Sequence, residues 1–144
     1  MSGCAPRALG DSERPRRLLG ASVRPLNFTV RLPMELFREF EKEVLRLLVT
    51  PHLGVDAVNA IERDAALVSL EHSGCGYFLT VKHGSVPINR VVCDKPIVSG
   101  HFHNTTCGFI AFMENGELML ECYSFGNESI PTDVRDLRVV VSTT

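Results

Sequence analysis

The chain has 144 residues, enough for one domain whose core needs no metal or disulfide to hold it. A formal net charge of -2, with 44% hydrophobic and 22% charged residues, argues against a nucleic-acid binder, which needs a basic footprint. No apolar run approaches the ~20 residues of a membrane-spanning helix, so no membrane partner is expected.

Charge is unevenly placed. Residues 1–33 carry six Arg against Asp11 and Glu13, and the rest of the chain carries nine Lys or Arg against fifteen Asp or Glu. Residues 1–25, dominated by Pro, Gly, Ser and Arg with only short apolar pairs, read as a disordered basic leader. A transit peptide is a sharper alternative, weakened by Asp11 and Glu13, and an arm for acidic partners is another. A single α+β domain is then expected over 26–144. The five cysteines are odd in number and dispersed, with no C-x-x-C and no secretory apolar region near the start. That pattern predicts a cytoplasmic protein with reduced thiols.

Leu26–Leu32 alternates apolar and polar residues and is expected to be an edge strand or an ordered lead-in. Pro33 suits the first position of a helix. Met34 to Thr50 is the strongest helical segment: Leu36, Phe37, Phe40, Val44, Leu47 and Leu48 recur at three- and four-residue spacing. Glu35, Arg38, Glu39, Glu41, Lys42, Glu43 and Arg46 fill its other faces. Pro51 is expected to end it, and a second short helix is expected from Val55 to Arg63.

Strands follow. Ala66–His72 alternates, Ser73-Gly74-Cys75-Gly76 reads as a turn, and Tyr77–Lys82 as the next strand. His83–Asn89 is expected to be a loop. Arg90–Cys93 and Pro96–Val98 are expected to be short strands separated by Asp94-Lys95. Gly100–Thr106 reads as a polar connection.

The clearest local structure is Cys107–Phe125. Asn115-Gly116 tolerates positive φ at both central positions of a two-residue hairpin turn. Closure there sets Glu114 opposite Glu117, Met113 opposite Leu118 and Phe109 opposite Cys122. Alternation assigns Phe109, Ala111, Met113, Leu118, Leu120 and Cys122 to one face. Ile110, Phe112, Met119, Glu121 and Tyr123 fall on the other. Leu137–Ser142 is expected to form a last strand, with a helical turn over Asp133–Leu137. Helices first and antiparallel strands after predict an α+β fold: an N-terminal helix or helix pair packed on a mostly antiparallel, meandering sheet of four to six strands.

Three groups bear on chemistry. His101, His103 and Cys107 are donors that suit zinc, with His83 as a fourth, although their spacing matches no standard pattern and ordinary loop residues are the plainer reading. Cys107 or Cys75 with His101, His103 or His72 would be a nucleophilic pair, against which a cysteine bordering an apolar strand is more often a core residue. Glu121 stands among apolar neighbours, the pattern of an interaction face. No phosphate-binding loop, nucleophile elbow or zincin motif is present, and no catalytic or cofactor-binding residue is assigned.

The first helix, the Ser73-Gly74-Cys75-Gly76 turn and the hairpin GFIAFMENGELMLECYSFG together resemble a set of small uncharacterised bacterial proteins with a hairpin of the form G-F-x-x-F-x-E-N-G-E-L. The likeness covers residues 34 to 131. It implies a fold and no activity; His101 and His103 lie outside its pattern.

The function expected on these grounds is a small non-enzymatic interaction module. Its partner is a protein or a second copy of itself, met through Ile110, Phe112, Met119, Glu121 and Tyr123. The acidic body suits neutralising a basic partner, as an immunity-type protein does. The alternative is a zinc-binding protein using His101, His103 and Cys107.

Overall fold

A computed structural model describes residues 35–144 apart from Asn127. The expected leader, the 26–32 strand and Pro33 lie outside the described residues. Helix α1 is Glu39–Leu48. It begins later than expected, with Leu36 and Phe37 in the lead-in, yet Phe37 is fully buried beside the helix. Pro51 does not end the helical region. α1 stops at Leu48, and Pro51 falls in the first turn of a short helix α2, Thr50–Leu53, where its missing N–H costs nothing. Helix α3 is Val55–Asp64 and buries Val58 and Ile61.

Six strands form one antiparallel sheet: β1 Ala66–His72, β2 Gly76–Lys82, β3 Val91–Phe102, β4 Thr105–Glu114, β5 Glu117–Ser124 and β6 Val140–Thr143. Their order is β1-β2-β5-β4-β3-β6. β3, β4 and β5 meander as expected, but β2 pairs with β5, so the β4–β5 hairpin sits between β2 and β3. The chain reaches β3 by passing round the hairpin tip. His83 N–H donates to Gly116 O, while Gly116 N–H donates to Pro87 O and Asn115 N–H to Ile88 O, at 3.2, 3.1 and 2.9 Å.

The hairpin pairs in the expected register, from Glu114 opposite Glu117 to Phe109 opposite Cys122. Asn115 and Gly116 both have positive φ, 56° and 81°. Where two short strands were expected, β3 is one long strand. Its register on β4 shifts between Cys93 and Val98, and Asp94-Lys95-Pro96 occupies that irregularity. A proline without an N–H is tolerated at such a bulge. Gly100–Thr106 is not a connection. Phe102 pairs with Thr105, and His103-Asn104 alone makes the turn, with His103 at φ 54°. The late helical turn is a 3-10 turn, Val134–Asp136, before β6.

The core lies between the helices and one sheet face. Phe40, Val44, Leu45 and Leu48 of α1 cluster with Leu79, Val81, Phe109, Ala111, Met113, Leu118 and Leu120. The Phe40 and Phe109 rings are 6.0 Å apart and tilted, the geometry aromatic pairs prefer. Burying each large side chain stabilises the fold by about 1.5–3 kcal/mol.

Candidate functional site

Because α1 covers one face of the sheet, strand alternation sends every second side chain to the opposite face. The register aligns these side chains in rows. One row runs Thr80, Met119, Phe112, Val92 across β2, β5, β4 and β3. The adjacent row runs Glu71, Phe78, Glu121, Ile110 from β1 to β4. The next sets Tyr123 beside Gly108 and Ser99. The five residues expected on this face, Ile110, Phe112, Met119, Glu121 and Tyr123, are thus brought together, all half-buried. Phe78, Thr80 and Arg90 join them. The hairpin alone could not place these three, since β2's position beside β5 is a long-range fact.

Glu121 lies between Phe78 and Ile110 across the strands and between Met119 and Tyr123 along its own. Burial against these neighbours raises its pKa above the ordinary glutamate range. No hydrogen bond or ion pair reaches its carboxylate among the described residues. Burial, then the nearby Glu121 charge, also raises the Tyr123 phenol. The Tyr123 ring lies across Gly108, where a Cβ would collide with Cζ, Oη and Cε1 of the ring, so glycine there is what gives the tyrosine its place. At the tip end of the face, the Arg90 guanidinium sits 5.6 Å from the Phe112 ring centroid and 3.2 Å from Glu114 Oε1. Two shallow depressions mark the surface: about 350 Å³ beside Arg90, Phe112 and Met119, and about 200 Å³ beside Phe78, Glu121 and Tyr123.

The expected metal donors are not brought together. Gly100 pairs with Cys107 and His101 with Thr106, so Cys107 and His101 face opposite sides of the sheet. Cys107 is buried on the helix side. The His101 ring lies 3.2 Å from Thr106 Oγ1 and 3.3 Å from Ser142 Oγ. His103 is in the β3–β4 turn, and the His83 Nδ1 accepts a bond from Ser85 N–H at 3.0 Å. Among the described residues no group of three or more His, Cys, Asp or Glu side chains is placed to hold a metal ion.

The nucleophile reading fares no better at Cys107. Cys93, Cys107 and Cys122 are free and buried. Burial pushes the Cys93 thiol up to about 11, and the hydrogen bond with Cys107, together with burial, pushes Cys122 well above the ordinary range. A thiol held protonated in the core is inert.

One polar cluster was not read from the sequence. Glu41, assigned there to the helix's polar faces, is completely buried. Its Oε1 accepts from Arg38 N–H at 2.8 Å and Arg135 Nη2 at 2.7 Å; its Oε2 accepts from Tyr77 Oη at 2.5 Å and Arg135 Nε at 2.7 Å. Arg135 also donates to Leu36 O at 2.7 Å and lies over the Tyr77 ring. Four bonds saturate the carboxylate, so this cluster ties α1, β2 and the 3-10 turn together and offers nothing to a substrate. The available signal was its spacing: Glu41 is four residues from both Phe37 and Leu45, inside the apolar stripe.

No helix among the described residues is long and apolar enough to cross a membrane. No family model matches the chain, and neither a curated protein nor a solved structure matches it. Function must therefore be argued from the open face itself.

Proposed function

We propose that this protein is a small interaction module that docks a protein partner on the open face of its sheet and carries out no chemistry of its own. The observation that carries the reading is Glu121, a half-buried carboxylate without a partner, ringed by Phe78, Ile110, Met119 and Tyr123. A carboxylate so placed pays for desolvation and receives nothing back within the described fold. A partner presenting apolar side chains around a Lys or Arg would supply the missing charge and cover the ring of apolar groups. The excess of acidic residues after residue 33 favours such a cationic partner. A cytoplasmic setting belongs to the same proposal and fits three free, buried thiols.

The test is site-specific photocrosslinking from position 112, on the open face, and from Val55, exposed on α3, as the control. Discrete adducts from position 112 alone, abolished by Met119→Lys, are expected. Equal labelling from both positions would refute a dedicated face.

A further inference from the structure

Resting on that reading, we infer that the partner is a second copy of this chain, packed sheet to sheet about a two-fold axis so that Arg90 of each protomer meets Glu121 of the other. The open face holds one unpartnered acid and one exposed cation, in neighbouring rows. Arg90 lies over Phe112, in the Met119 row, and Glu121 stands one row away. Rows two residues apart along a strand are separated by about 7 Å. A two-fold axis lying across the strands midway between these rows exchanges them. It sets the Thr80–Met119–Phe112 row of one protomer on the Phe78–Glu121–Ile110 row of the other. In such an interface every contact occurs twice, so both carboxylates gain a guanidinium and both apolar rows are covered.

Arg90 can make this contact because its present tie is weak. The pair with Glu114 is exposed on both sides, with 60% and 49% of the side chains open to solvent. Such pairs contribute little. The face also has the required size. Six strands about 4.8 Å apart and about seven residues long span roughly 29 Å by 23 Å, about 650 Å² before side-chain relief. A standard interface buries about 800 Å² per partner. Apolar sheet faces pack in this aligned way at about 10 Å.

The other occupant to consider is the chain's own first 34 residues. The described chain starts on the helix side of the sheet: Arg135 donates to Leu36 O, and Phe37 is in the core. That places its entry across the sheet from the open face, which favours the second copy.

The experiment is light scattering on the full chain over a concentration series, with Arg90→Glu, Glu121→Arg and the double swap. Circular dichroism checks that each variant is folded. The wild type is expected to reach twice the 15.9 kDa chain mass. Each single swap should weaken dimerisation at least about tenfold, and the double swap should restore it to within a few-fold. A wild type at single-chain mass throughout overturns the dimer, and so does a monomer that dimerises only when residues 1–34 are removed. Neither result touches the docking reading, which stands or falls on the crosslinks from position 112. A dimer indifferent to both single swaps, or single defects that the double swap does not repair, overturns the Arg90–Glu121 pairing.

Discussion

Arg135→Ala is the substitution with the largest expected effect on stability. The Glu41 carboxylate is 0% exposed and takes two of its four hydrogen bonds from Arg135, at 2.7 Å each. Removing the guanidinium leaves the charge with only the Arg38 N–H and the Tyr77 hydroxyl. Breaking a buried pair from one side costs about 3–5 kcal/mol, because the remaining charge stays desolvated. Leu36 O loses a donor too, which adds about 1 kcal/mol. Domains of this kind have about 5–15 kcal/mol in total, so the variant should lose a large share of its stability. At about 4 °C per kcal/mol for a body of this size, its Tm should fall by about 12–20 °C. The double variant Glu41→Met, Arg135→Met leaves no orphan charge and should recover most of the loss, as apolar replacements of buried pairs do. Urea unfolding followed by far-UV circular dichroism on the four-member cycle measures both the loss and the coupling. A loss under about 1 kcal/mol for Arg135→Ala, or a double variant worse than either single, would refute the reasoning.

Three further expectations follow from the same geometry. Glu121→Gln should stabilise the chain at neutral pH when it is dilute enough to be monomeric. Burial raises this carboxyl's pKa in the folded state, so between the ordinary and raised values the native state holds more protons than the unfolded one, and stability falls as pH rises through that window. The variant should flatten the fall; an unchanged pH profile would contradict the burial of Glu121. Gly108→Ala drives a Cβ into the Tyr123 ring and should cost about 1–3 kcal/mol as overpacking, partly recovered by adding Tyr123→Ala; thermal unfolding checks it, and no loss would mean that the ring lies elsewhere. Protein purified without chelator should contain no stoichiometric zinc by elemental mass spectrometry. A ratio near one that is lost in His101→Ala would refute the separation of His101 from Cys107 across the sheet.

What the sequence disclosed was local. The Asn115-Gly116 turn and alternation on both sides were enough to place every pair from Glu114–Glu117 to Phe109–Cys122. They also divided Ile110, Phe112, Met119, Glu121 and Tyr123 from the core residues. β1 was equally legible, since Ala66–His72 is a short alternating run between clear breaks. β3 was not: Asp94-Lys95-Pro96 has the composition of a break, and only pairing with β4 on both sides of it makes one strand. The neighbours of the open face were hidden for a similar reason. Nothing near Phe78 announces that β2 will lie beside β5 rather than β3. The Glu41–Arg135 pair joins residues 94 positions apart, beyond the reach of any periodicity. His101 and His103 suggested a shared site on the assumption of a continuous extended segment, and the two-residue turn at His103-Asn104 removes that assumption.

The passage of the β2–β3 connection round the hairpin tip has a practical consequence for anyone labelling or re-engineering this chain. A two-residue Asn-Gly turn is ordinarily the first place to splice in an epitope, a fluorophore or new termini. Here both turn residues give their N–H groups to the carbonyls of Pro87 and Ile88, so an insertion would pry off the strap that carries the chain from β2 to β3. The turn at His103-Asn104 at the opposite end of β4 has no such strap, and both its residues are exposed. New sequence belongs there.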